Sequence, residues 1–160
     1  MKHTLSVTVE NEPGVLSRVA GLFSGRGFNI ESLNVGPTLD PGVSVMTIST
    51  EGDEQIIEQI VKQLRKLITV IKVVDLTEMK SVQREMMMLK VNANDANRAE
   101  ILRTVDIFRC KVVDVSIDEL TIEVTGNHEK LAAIIGLLTR FGIKEIARSG
   151  MVAMKRSMQG

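Results

Sequence analysis

Apolar and polar residues alternate at the start of the chain, and the pattern then becomes helical. The alternation from Leu5 to Glu10 predicts a strand over residues 3–10 with one buried face. An Asn-Glu-Pro-Gly turn follows at residues 11–14. Apolar residues then recur at helical spacing until two glycines interrupt them, which predicts a helix over residues 14–25.

The next fifty residues predict two strands, a second helix and a fourth strand. The apolar positions of residues 28–35 change phase in the middle, which predicts a strand with a bulge near Glu31 and Ser32. A helix begins near Asp53 and carries a favourable pair between Glu58 and Lys62, four residues apart. The order is therefore βαββαβ, and the remaining strands are predicted at residues 43–49 and 70–76.

The second half of the chain repeats this order with little sequence identity. We predict a helix over residues 96–108 with Ala99, Leu102 and Val105 facing inward. The fold class is therefore α+β, with two ferredoxin-like βαββαβ units in tandem. The domains are predicted at residues 1–76 and 84–160, with a polar linker at 77–83. The other predicted elements are strands 86–91, 111–117, 120–124 and 143–148 and a helix over 128–141.

Composition excludes several classes of partner. The 160 residues include 20 basic and 20 acidic side chains, so no net charge attracts the chain to nucleic acid or to an anionic membrane. Four Phe with no Tyr or Trp argue against an RNA-recognition surface. We find no apolar run of the ~20 residues that span a bilayer and no leader, so we expect a cytoplasmic protein.

The residues that usually carry catalysis or bind metals are scattered. The two histidines, His3 and His128, fall in different predicted domains, and Cys110 has no cysteine or histidine at a useful spacing. There is no glycine-rich phosphate loop. We therefore predict a chain that is not an enzyme, with no catalytic residue, metal or cofactor of its own.

The turn at residues 11–14 is the strongest candidate for a binding site. Gly14 would let a ligand carboxylate approach the backbone amides at the helix start, and the Asn11 side chain can bond to an ammonium or a carboxylate. Together these groups suit an amino acid. A plain turn capped by Asn11 is the alternative. A second amide side chain, Asn29, stands where the predicted edge strand begins.

Three segments carry a family resemblance. Residues 11–19 (Asn-Glu-Pro-Gly-Val-Leu-Ser-Arg-Val) and 26–33 (Arg-Gly-Phe-Asn-Ile-Glu-Ser-Leu) resemble the ACT domain of the small regulatory subunit of acetolactate (acetohydroxyacid) synthase. Residues 147–150 (Ala-Arg-Ser-Gly) resemble the C-terminal domain of that family. The likeness covers residues 3–153.

The resemblance implies a homodimer that activates a separate catalytic subunit and makes it sensitive to feedback by valine. Thiamine diphosphate, magnesium and FAD would belong to that catalytic subunit, which condenses two pyruvates to acetolactate, or pyruvate with 2-oxobutyrate, at the start of valine and isoleucine synthesis. The alternative is a free-standing ACT sensor of amino acids that regulates another enzyme or transcription. The role of Met86-Met87-Met88, core packing or partner contact, stays open.

The resemblance also assigns the effector site to two protomers. In related ACT dimers the effector lies between the first helix of one chain and the second strand of the other. Carried over by matching positions, one wall would be Asn11, Gly14, Val15 and Leu16, and the other would be Asn29 and Ile30 of the neighbouring chain.

Overall fold

The computed structural model describes residues 1–157, and these form two compact units. The first unit is Met1–Val82 together with the segment that starts at Met151, and the second is Gln83–Gly150. Each unit has an antiparallel sheet with two helices, in the predicted βαββαβ order. The tandem ferredoxin-like fold is therefore confirmed. No helix among residues 1–157 is both long and apolar enough to cross a membrane.

The first unit has strand order β2-β3-β1-β4, which makes β2 an edge strand, as predicted. The odd-numbered side chains of β1, from Leu5 to Val9, are buried in the core of the unit. Phe23 from the first helix and Leu64 from the second belong to the same core. Asp53 caps the second helix by accepting from the Gln55 amide at 2.9 Å. The elements are β1 Lys2–Glu10, α1 Val15–Ser24, β2 Ile30–Pro37, β3 Val43–Glu51, α2 Glu54–Lys66 and β4 Val70–Asp75.

The bulge predicted in β2 is present. The pairing of β2 with β3 shifts register between Ile30 and Ser32, where the apolar pattern changes phase. One extra residue on the bulged strand restores the inward direction of the side chains that follow. Leu33 is thereby brought opposite the buried Ile48.

The second unit repeats the topology with strand order β6-β7-β5-β8. A short 3-10 turn at Thr139–Phe141 replaces the end of the predicted fourth helix. A ninth strand, β9 (Val152–Lys155), which the sequence pattern did not predict, lies in the segment assigned to the first unit and pairs with β5, whose first residues, Ser81 and Val82, also belong to that unit. The other elements are β5 Ser81–Asn92, α3 Arg98–Ile107, β6 Lys111–Val115, β7 Glu119–Gly126, α4 His128–Leu138 and β8 Ile143–Arg148.

The predicted inward face of α3 was partly wrong. Ile101 and Val105 are buried, whereas Ala99 and Leu102 are exposed. Residues three or four apart lie on one helix face, so Val105 is compatible with either Leu102 or Ile101 as its neighbour. Packing against the sheet selects Ile101, which lies in the core cluster of the unit.

The predicted linker at 77–83 is only partly irregular, because β5 begins at Ser81. The predicted domains at residues 1–76 and 84–160 stay a prediction. The second of them ends at residue 160, and residues 158–160 lie outside the described part of the chain.

The three consecutive methionines of β5 alternate between the two faces of the sheet. Met87 is fully buried in the core of the second unit, whereas Met86 and Met88 are partly exposed. Core packing therefore explains Met87 alone.

The Ala-Arg-Ser-Gly segment at the end of β8 closes the second unit. Arg148 donates two hydrogen bonds, of 2.8 and 2.6 Å, to Glu85 Oε1, and the Glu85 carboxylate is only 4% exposed. The Ser149 hydroxyl accepts from the Met86 amide at 3.0 Å. Gly150 then turns the chain with φ of 83°, a conformation that favours glycine. Part of this motif is therefore structural.

Candidate functional site

The turn between β1 and α1 leaves the start of the helix open. Gly14 is the residue before the helix and has a left-handed conformation, with φ of 85° and ψ of −9°. A Cβ at this position would meet no heavy atom within 4 Å, so the backbone conformation and not crowding favours glycine. No side chain caps α1. The position that a side chain at residue 14 would occupy is therefore empty.

The backbone amides of this first turn indicate that a ligand here would be an anion. The Val15 amide reaches the Glu12 carbonyl only at a long 3.4 Å. The amides of Leu16 and Ser17 have no partner within the helix, because an α-helix leaves its first N–H groups unpaired. These groups and the helix dipole together favour a carboxylate at this end.

Asn11 anchors the turn and does not cap the helix. Its backbone amide donates to the Gly42 carbonyl at 2.8 Å, and its side-chain Nδ2 donates to the Pro41 carbonyl at 3.1 Å. The side-chain oxygen is then the atom that can accept a hydrogen bond from an ammonium group. The contact between Asn11 and the Pro41-Gly42 turn was not predicted from the sequence, although both segments carry turn residues.

The two apolar residues of the predicted first wall differ in exposure. Val15 is only 3% exposed and belongs to the core of the unit, so only its backbone can face a ligand. Leu16 is 45% exposed and can offer its side chain. Asn11, Gly14 and Leu16 are therefore the exposed members of the predicted first wall.

The predicted second wall lies at the other end of the same sheet. Ile30 pairs with Thr50, whereas Glu10, the last residue of β1, pairs with Val43. The seven residue steps along β3 from Val43 to Thr50 span about 23 Å. Asn29 is exposed beside this far end, where its backbone carbonyl accepts from the Thr50 hydroxyl at 2.7 Å. One protomer therefore does not bring the two walls together.

His3 and Cys110, the other potentially reactive side chains, lie in environments that favour a structural role. His3 is buried, with its Nδ1 3.8 Å from an Asp75 carboxylate oxygen and 3.4 Å from the Thr77 hydroxyl. Burial raises the pKa of the Cys110 thiol, which makes it a poorer nucleophile at neutral pH. Residues 1–157 contain no group of three His, Cys, Asp or Glu side chains arranged to hold a metal ion.

The fold and the open turn define a class of small regulatory domains, the ACT domains. Residues 5–72 match the ACT domain of AHAS small subunits, and residues 84–157 match the family described as the small subunit of acetolactate synthase. Together these two matches cover most of the chain.

Related sequences are similar to this chain over almost its whole length. The acetolactate synthase small subunit of Aquifex aeolicus is 54% identical over 158 residues, which are 98% of this chain and 82% of that protein. That of Mycolicibacterium smegmatis is 52% identical, over 99% of this chain and 93% of its own. The crystal structure of the small subunit from Thermotoga maritima has a TM-score of 0.88 at 45% identity and covers 99% of both chains. The chain belongs to the family of acetolactate synthase small subunits, which are regulatory and not catalytic chains.

Proposed function

We propose that this chain activates the catalytic subunit of acetolactate synthase and makes it sensitive to feedback by valine, in the cytoplasm. Membership of the small-subunit family supports a large catalytic partner. That partner would hold thiamine diphosphate, magnesium and FAD and carry out the condensation of 2-oxo acids. The open start of α1 is the observation that carries the regulatory part of the proposal.

The valine carboxylate would bind to the Leu16 and Ser17 amides, which an α-helix leaves unpaired. Its ammonium group would donate to the side-chain oxygen of Asn11, whose Nδ2 is already engaged by Pro41. Gly14 would line the approach, because it has no side chain to occupy the space above the turn. These contacts satisfy the common α-amino-acid group and do not yet select a side chain.

A second protomer would complete the site. Asn29 and Ile30 lie about 23 Å from the turn in their own chain, as judged from the strand rise. A homodimer in which the β2 edge strands meet would bring these two residues toward the turn of the other chain. An edge strand has unpaired backbone groups that favour such an association, and Val35 on β2 is exposed. Ile30 and Leu16 would then contact the isopropyl group.

The expected affinity suits a sensor of an end product. A carboxylate at a helix start contributes ~0.3 to 1 kcal/mol, and up to ~2 where it is partly buried. Burial of a valine side chain contributes about 1.5 to 3 kcal/mol. After the cost of association we expect a Kd of the order of 10 μM to 1 mM. Leucine and isoleucine differ from valine by one methylene, about 1 to 3 kcal/mol, so some response to both is expected.

Inhibition requires that the two states of the complex bind valine differently. A coupling free energy of ~1 to 3 kcal/mol is usual for such an effect. Since valine would touch both protomers, it should also strengthen the dimer.

A calorimetric titration with valine tests the site, first on the isolated chain and then on the complex with the catalytic subunit. We expect saturable binding, one valine per protomer, and inhibition of the complex over the same concentration range. A crystal soaked in valine should show density between the α1 start and the β2 start of the second chain. An empty position there, or inhibition without binding to this chain, would contradict the proposal.

A further inference from the structure

A second cleft of the first unit lies along the last two turns of α2. It has a volume of about 310 Å³, and four of its six lining side chains are cationic. The other two are glutamines, and no carboxylate lines it. The lining residues are Arg26, Gln59, Lys62, Gln63, Arg65 and Lys66.

The cations of this cleft have no acidic partners in the described part of the chain. Within residues 1–157, none of the four pairs with a carboxylate. The pair between Glu58 and Lys62 that helical spacing favours is not formed, and Lys62 lines the cleft instead. The chain as a whole carries equal numbers of acidic and basic residues, so this concentration of charge is local.

Helix stability accounts for only part of the cluster. Arg65 and Lys66 in the last turn of α2 complement the helix dipole. Lys62 and Lys66 are four residues apart, and like charges at that spacing destabilise a helix. Arg26 comes from a different element, the loop after α1. A bound anion would relieve the repulsion among all four.

The guanidinium groups indicate the chemistry of that anion. Arg65 is held in place because its Nη2 donates to the Val73 carbonyl at 3.2 Å, which leaves its other donors available. Arginine presents a planar fork that matches phosphate oxygens, lysine adds point charge, and the amides of Gln59 and Gln63 can donate to further oxygens. Several cations around one small cleft favour a ligand with several negative charges over a single carboxylate.

We propose that this cleft binds a small soluble molecule with two or more linked phosphate groups. The site is independent of the valine site, since it lies on α2 and shares no residue with the turn at Asn11–Gly14.

Calorimetry of the full chain with inorganic pyrophosphate, in metal-free buffer, tests the proposal. Binding should weaken strongly between 50 and 200 mM salt, because exposed charges are screened within about 10 Å at these ionic strengths. The double variant Lys62→Ala with Lys66→Ala should lose about ten-fold in affinity, given the strength of exposed ion pairs. The double variant Lys2→Ala with Lys72→Ala removes the same charge outside the cleft and should change affinity less than about two-fold.

Two competing ligands and one further variant separate the explanations. Hexaglutamate that binds more tightly than pyrophosphate would overturn the proposal in favour of an acidic protein surface. Sulfate that binds equally well at matched ionic strength, or no pyrophosphate binding at millimolar concentration, would also overturn it. Gly14→Asp should leave pyrophosphate binding unchanged, which keeps this test separate from the valine site.

Discussion

The two units share one topology, but the turn after the first strand has a different structure in each. In the second unit, Asn94 and Asn97 bond to each other's backbone amides at 3.0 and 2.8 Å. Arg98 fills the rest of that turn by donating to three carbonyls, those of Ala93, Ser116 and Ile117. In the first unit the equivalent turn has Gly14, where a Cβ would meet no heavy atom within 4 Å, although neither α1 nor α3 has a side-chain cap.

The difference shows that the fold leaves the function of this turn undecided. Where Arg98 and the two asparagines bond within their own unit, the side chains of the turn have a structural role. Where Gly14 leaves the turn uncovered, the unpaired amides at the helix start are accessible to an outside partner. Changes to the first turn should therefore alter ligand response, and changes to the second should alter stability.

The largest expected effect is that of Gly14→Asp. The new carboxylate would stand where the valine carboxylate binds, and like charges brought together cost several kcal/mol, so valine binding should weaken about 100-fold or more. Inhibition assays of the reconstituted complex measure this loss. Activation of the catalytic subunit should persist.

Gly14→Asn is the matched control, because asparagine and aspartate both tolerate the left-handed conformation and have nearly the same size. It should keep valine inhibition at a modestly higher concentration. Equal loss in both variants would assign the effect to shape or strain, and retained inhibition in Gly14→Asp would remove the first unit from the site.

Arg148→Ala should give the largest loss of stability. It leaves the buried Glu85 carboxylate without its partner, and breaking such a pair costs about 3 kcal/mol. Urea unfolding of the chain measures the change. Lys144→Ala, which removes a more exposed pair with Glu119, should have a much smaller effect. Equal effects of the two variants would argue against a structural role for the Glu85 pair.

Arg98→Ala tests the closed turn directly. The loss of three bonds from a charged donor should destabilise the chain by about 2 kcal/mol, with valine affinity unchanged. Arg103→Ala, an exposed arginine on the same helix, is the control. A change in valine affinity without a change in stability would reverse the distinction between the two turns.

The smallest effect concerns Cys110. Because burial raises the pKa of this thiol, its alkylation by iodoacetamide at pH 8 should be several-fold slower in the folded chain than in urea. The stability from the protonated thiol is full below the pKa of the unfolded chain and is lost as pH rises through the folded value. Valine should leave the rate unchanged. A valine-dependent rate would show that the second unit also responds to the effector.

The local elements were predictable because their signals are local. The phase change in residues 28–35 predicted the bulge, and the spacing around Asp53 predicted α2. The inward face of α3 was ambiguous, since two sets of apolar residues fit one helical period. Strand β9 has only four residues, Val152–Lys155, and depends on a partner far back in the sequence.

The candidate site could be predicted only in part for the same reason. Gly14 and Asn11 stood out as turn residues, but the anchoring of Asn11 to Pro41 is a contact across thirty residues. Likewise, Arg26 and Lys62 meet in one cleft only because α1 and α2 lie side by side. The local pattern of apolar and polar residues does not indicate such contacts between residues far apart in the sequence.

The separation of the two walls at opposite ends of β3 has a consequence for mixed assemblies. By two-fold symmetry, the proposed dimer would contain two equivalent valine positions, each formed by one wall from one protomer and one wall from the other. A hybrid of a Gly14→Asp chain with an Asn29→Ala chain would then concentrate both defects in a single position and leave the other intact. Two homodimers that do not bind valine would thus give a heterodimer with half the normal valine capacity.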